Sequence, residues 1–425
     1  MAEEGHHTSL SSVALARFIT NPYLHADTIS SLSPLSPPFS HPSPPSSSLL
    51  TPPTLSPTLP PQLLINEIES VLKYILERLE RDGEFLHLPD VYIGINGLTY
   101  LFLEIHFYNQ RHEASHHIVV PQISIPCLNI DKDKRVSPLQ MARNLLRLSK
   151  RRRHKLDGVP SFLFGHPGYL SLLCVCESEE GNAAAARKTA SKLFDLRSLC
   201  VGESSRWAGV CDEMLYGRAG FLSAILYVKR RLSLSPSSQD PPPSLPSFSF
   251  DDDEVGKVID TIIRNGLFTA REFTSPSSHS SSSSSSSSSS IPPSSPSSPP
   301  SSPPLLFPWS SQLYLGLAHG TMGILLTLLQ FPLSPSTYSL LSNSAAHIYR
   351  HCRFPSGNYF ACHAEDAGRM ETDVLVHLCH GAPGAGLLFA RAFERFRSEV
   401  FLRAAEEAGE VRRGRERERE RERDF

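Results

Sequence analysis

A thiol and an imidazole stand side by side at Cys379 and His380, inside the stretch DVLVHLCHGAPGAGLLF. Gly381, Pro383, Gly384 and Gly386 follow at once, and an apolar run starts at Leu387. A turn of small residues that opens an apolar helix presents a reactive pair at the helix mouth. The N-terminal field of a helix favours a thiolate, and a thiolate is both a metal ligand and a nucleophile. The plain alternative is a helix-opening turn whose cysteine only packs. A second dipeptide of the same kind, Cys362-His363, lies shortly upstream and opens the thought of a makeshift Cys/His metal site with Cys379-His380, although the spacing fits no common finger.

These residues need elements to hold them, and the turn that carries Cys379 recurs. YIGINGLTYLF holds Gly94 and Gly97, FLFGHPGYLSLL holds Gly165 and Gly168, and DEMLYGRAGFLSAIL holds Gly217 and Gly220. LGLAHGTMGILLTLL then holds Gly320 and Gly323, and the opening stretch holds Gly381 and Gly384. Each is Gly-x-x-Gly leading into an apolar helix. A shared motif with a shared sequel is a repeat of roughly 50–70 residues, two helices and their loops per unit. Helices that are apolar nearly all round belong inside, and amphipathic ones such as 141–148 and 252–265 cover them. The expected fold is all-α, a two-layer helical α/α toroid with its glycine turns at one end of the inner helices.

Composition limits the rest. Net charge is −2, so no global basic field argues for nucleic acid or an anionic membrane. No run of about 18 apolar residues predicts a membrane span. The 8 cysteines show no framework spacing and no signal peptide opens the chain, which fits reduced thiols and a cytoplasmic protein. Residues 1–61 become rich in Ser and Pro and read as disordered, as does an insertion at 274–304. The ordered domain is placed at 62–396. The basic run KRRRHK at 150–155 reads as a solvated connection. Residues 397–425 read as a charged tail, disordered or non-native, because the alternating Arg-Glu of 412–424 has no apolar face and is what a purine repeat would encode.

Together these motifs resemble the LanC-like protein family, the eukaryotic relatives of bacterial lantibiotic cyclases. DEMLYGRAGFL, GLAHGTMGI, SGNY at 356–359 and LVHLCHGAPG carry the resemblance, which covers about 62–396. It implies an α/α toroid of seven glycine turns, of which five are found here. It implies a zinc ion held by a Cys from one Cys-His-Gly turn and by a Cys and a His from a later one. Cys379, with His380 adjacent, corresponds to the first ligand; no Cys or His follows His380, and Leu378 stands where the family has Trp. The implied chemistry is addition of a thiol, from glutathione or a peptide cysteine, to dehydroamino acids in a dehydrated peptide or protein. By the same resemblance His319 is the catalytic acid that protonates the resulting enolate, and Glu213 is the carboxylate that orients it. Plant relatives suggest at most a peripheral association with the plasma membrane. Two other readings stay open: an inactive scaffold or binding module, truncated before its second ligand turn, and a glycosidase-type toroid relying on Glu213, Asp212 or Asp373.

Overall fold

The computed structural model describes residues 61–82, 88–128, 130–131, 135–201, 210–233, 250–274, 303–363 and 366–423. Residues 1–60 and nearly all of the Ser/Pro insertion lie outside them. Among the described residues the chain is helical, with isolated bridges in place of strands. That is the all-α class expected from the glycine turns. No described helix is long and apolar enough to cross a membrane.

The chain divides into two compact units. The first contains Met1–Phe85 and Leu98–Asn144. Its helix α1 (Pro61–Asp82) buries Ile65, Leu72, Leu76 and Leu79, a stripe at helical spacing. Helix α2 (Ile95–Arg111) buries Leu101, Phe102, Leu103 and Ile105 within this unit. The Asn109 amide donates to the Ile118 carbonyl and accepts from its N–H, both at 2.9 Å. Helix α3 (Pro138–Lys150) begins here.

The second unit contains Leu86–Gly97 and Leu145–Phe425. Its helices are α4 (His166–Glu179), α5 (Ala183–Asp195), α6 (Ser198–Val201), α7 (Arg218–Ser233), α8 (Asp252–Thr274), α9 (Thr321–Leu328), α10 (Pro335–His351), α11 (Ala382–Phe396) and α12 (Glu399–Arg423). Helix α4 packs on α5 and α7, α9 on α7 and α11, and α11 on α10 and α12. All of α9 is buried, as its unbroken apolar run requires. Helix α8 buries one face only, through Val255, Val258, Ile259, Ile262 and Ala270. The basic run after Lys150 is a largely exposed connection with one 3-10 turn, Arg153–Leu156.

The five glycine turns are hydrogen-bonded in a row, in chain order. The N–H groups of Val91 and Tyr92 donate to Leu163 O at 2.8 and 3.1 Å, and Phe162 N–H donates to Gly220 O at 3.0 Å. Met214 N–H donates to Ala318 O at 3.3 Å, and Ala318 N–H to Cys379 O at 3.5 Å. From the second turn on, the second glycine lets the preceding turn approach. A Cβ on Gly168 would stand 2.9 Å from Val91 Cγ2, on Gly323 2.9 Å from Met214 Cγ, and on Gly384 3.0 Å from Leu317 Cβ. Each would also overlap a carbonyl of its own turn. Gly323→Ala is therefore expected to cost about 1–3 kcal/mol, as overpacking does. Gly256→Ala, where a Cβ meets nothing within 4 Å, should add about 0.5–1 kcal/mol through helix propensity. Urea unfolding of the two variants checks this; equal shifts of the midpoint would reject the close-approach explanation.

The expected end of the core at residue 396 needs correction. The backbone turns at Arg397 (φ 53°) and continues as α12, which buries Phe401, Ala404 and Ala408 against α11. Those residues lie at i, i+3 and i+7, a short apolar stripe ahead of the Arg-Glu alternation. The charged composition of 412–424 had concealed it.

Candidate active site

The carboxylate of Glu213 is the fixed point of the centre. It is 2% exposed, on the turn that opens α7. Oε2 accepts the N–H of Leu215 at 2.8 Å, and Oε1 accepts the N–H of Tyr216. The Cys211 thiol donates to Oε1 at 3.5 Å. The side chain therefore closes its own turn, which accounts for a carboxylate so deep in the unit. Burial, with the Glu213 charge adding to it, pushes the Cys211 thiol up to about 12, so it stays a donor.

His319 comes from the next turn, at the mouth of α9, and its Nδ1 lies 3.1 Å from Glu213 Oε2. A carboxylate at Nδ1 fixes the tautomer with the proton on that nitrogen and leaves Nε2 to exchange protons. The imidazole is stacked on Trp309, with ring centroids 3.9 Å apart and planes at 18°. Tyr216 and Tyr314 extend the aromatic wall at 6.2 and 6.1 Å. The His319 side chain keeps 18% exposure, so the wall is open on one side.

The third turn delivers Cys379 and His380. Its backbone lies against the His319 turn through the bond from Ala318 to Cys379, and Cys379 is half-buried. Gly381, with φ 103°, turns the chain into α11. Asn358 of the SGNY motif holds this turn from below. Its Oδ1 accepts the N–H of Ala382 at 2.9 Å, and its Nδ2 donates to Leu375 O at 3.1 Å and Asp373 Oδ1 at 2.9 Å. The His380 ring is 5.7 Å from that of Tyr314. Burial holds its pKa below the usual histidine value, reinforced by His319 and His377, and its Nδ1 is buried without a hydrogen-bond partner.

Other expectations fall differently. Arg218, which the sequence left free to face cavity or solvent, is buried in an ion pair with Asp212 (2.8 Å). Asp212 is thereby committed to structure. Cys174 and Cys176 pack in the core. Cys362-His363 does not join Cys379-His380; the ligand atoms of His363 lie within 4.8 Å of those of His347 and Cys352. Sequence reasoning missed Trp309, Tyr314, Cys211 and His347, of which Cys211 and Tyr314 adjoined recognised motifs.

Residues 128–420 match the family described as lanthionine synthetase C-like protein. The chain belongs to that family. It is 27% identical over 255 residues to Glutathione S-transferase LANCL1 of Danio rerio, covering 59% of this chain and 51% of that protein. It is 26% identical over 378 residues to LanC-like protein GCL1 of Arabidopsis thaliana, covering 88% of this chain and 71% of that one. The chain thus spans about half the length of the zebrafish relative it matches.

Zinc was the expected occupant at Cys379. A protein zinc site takes three or four ligands. Among the described residues a single group of three His, Cys or carboxylate ligand atoms gathers within 4.8 Å, and Cys379 is not a member of it. The described residues around Cys379 therefore do not fit a zinc ion.

Proposed function

We propose that this chain adds a thiol, from glutathione or a cysteine-containing peptide, to a dehydroamino acid in a peptide or protein. The Glu213–His319 pair, whose histidine lies on the turn that touches the turn of Cys379, carries this reading. Membership of the lanthionine synthetase C-like family supports it, and the zebrafish relative's name as a glutathione S-transferase supports a small thiol as donor.

The reaction needs one proton moved and nothing expelled. His319 Nε2 takes the proton of the incoming thiol. Sulfur then bonds to the β-carbon of the dehydroamino acid, and the electron pair of the double bond moves onto the carbonyl as an enolate. The imidazolium returns the proton to the α-carbon, which leaves a thioether and a neutral His319. Glu213 holds the ring through this cycle. Trp309, Tyr216 and Tyr314 supply flat apolar surface that keeps water from the enolate. No step is assigned to a metal.

The test is direct. The chain is mixed with a dehydroalanine-containing peptide and glutathione, and the mass of the peptide is followed. Growth of the glutathione adduct faster than in the protein-free mixture is expected; equal rates reject the reading.

A further inference from the structure

Outside the His319 centre, three ligand-type side chains converge from separate pieces of chain. His347 lies one turn before the end of α10, Cys352 is the C-cap of that helix, and His363 follows the bridge between Tyr314 and Cys362. Their ligand atoms all lie within 4.8 Å of one another. His347 is 8% exposed and Cys352 fully buried, while His363 is intermediate. Nε2 of His347 and both ring nitrogens of His363 are buried without a hydrogen-bond partner. Buried polar nitrogens in a folded protein are nearly always satisfied, so three in one cluster call for an occupant.

The surroundings supply no other answer. The two imidazoles lie nearly parallel, 5.8 Å apart at 11°, and the edge of Phe273 closes on His363 at 5.3 Å. Burial, helped by His351 and His363, lowers His347 to about 4, so it is a neutral ligand at pH 7. Burial likewise keeps the Cys352 thiol protonated, up to about 12, until a cation displaces the proton. Two imidazoles and a thiolate form a borderline-soft donor set, which suits zinc. A tetrahedral zinc ion holds such atoms roughly 3.3–3.6 Å apart, so small side-chain rotations close the cluster.

We propose that His347, Cys352 and His363 form a zinc site, with water in the fourth position, that ties the end of α10 to the segment bearing Tyr314. His363 N–H donates to Leu313 O at 2.9 Å and Leu315 N–H to Ala361 O at 2.8 Å, so an ion there fixes the strip from which Tyr314 reaches His319 and His380. The site is separate from Cys379 and does not rest on the thiol-addition reading.

Cobalt(II) reports the site without any activity assay. The full chain, stripped of metal, is titrated with cobalt and then with zinc as competitor. One cobalt per chain with a thiolate-to-cobalt charge-transfer band is expected, displaced by one zinc. Cys352→Ser should abolish the band, and His363→Ala and His347→Gln should each weaken binding at least about tenfold. Cys379→Ser should leave it intact. A wild-type chain with no band, a band that survives Cys352→Ser, or one lost with Cys379→Ser overturns the proposal. If Cys352→Ser fails to fold by circular dichroism, His363→Ala at its half-buried position decides in its place: unchanged affinity overturns the proposal.

Discussion

His319→Asn should slow the addition of glutathione to a dehydroalanine peptide by about 10²–10⁴-fold, the range a positioned acid–base group supplies. Asparagine keeps a polar side chain in the turn but has no group that can take up and return a proton near neutral pH. The loss should therefore fall on kcat, with KM changed little. Glu213→Gln should lose roughly 10²-fold by a different route. The carboxylate serves four donors with two oxygens: the N–H groups of Leu215 and Tyr216, the Cys211 thiol and His319 Nδ1. An amide offers one acceptor oxygen and sets an NH₂ against some of those donors. His319 then loses the partner that holds its tautomer, and the pH profile of kcat/KM should shift as well as drop. Thermal unfolding of each variant separates this from collapse of the turn. A folded His319→Asn chain with unchanged kcat would reduce the pair to packing and end the catalytic reading.

Much of this centre was legible in the sequence, for a physical reason. Close approach between successive turns admits no Cβ at Gly168, Gly323 or Gly384, so the repeat is written in glycine at fixed spacing. Glu213 and His319 sit inside such turns, and the resemblance to the LanC-like family singled them out there. What escaped notice depends on contacts that no spacing rule marks. Trp309 stacks on His319 from ten residues earlier in the chain. Asn358 was visible as part of SGNY, yet its task of supporting the Cys379 turn appears only once 358 and 382 meet. Cys362 and His363 looked like one unit because they are adjacent. In an extended segment adjacent side chains diverge, and His363 meets a helix end some sixteen residues earlier in the chain. The apolar stripe of α12 was hidden by charge counting.

The buried pair behind the Glu213 turn should be the chain's most sensitive point of stability. Asp212 and Arg218 are 7% and 8% exposed, with Nη1 and Oδ1 2.8 Å apart. Arg218 also donates to Cys200 O at 2.7 Å through Nε and to Val210 O through Nη1, while Asp212 accepts from Asn265 Nδ2 at 3.0 Å. Asp212→Ala leaves a guanidinium buried without its counter-charge and should cost about 3–5 kcal/mol in urea unfolding. Arg218→Met strands the carboxylate and should cost a similar amount. The double variant should cost much less than the two together, because neither charge is then left alone. Burial raises the Asp212 carboxyl above its ordinary value even against Arg218, so the folded chain holds that proton more tightly than the unfolded one. Its contribution is complete below the unfolded carboxyl value and is lost as pH rises through the raised one, a component the double variant lacks. Asp212 precedes Glu213 and Arg218 follows Gly217, so the pair clamps both ends of the turn that carries the Glu213 carboxylate. Additive single losses in the cycle would show that the two charges act separately, and the clamp would then have to be sought in Asn265 and the Cys200 carbonyl.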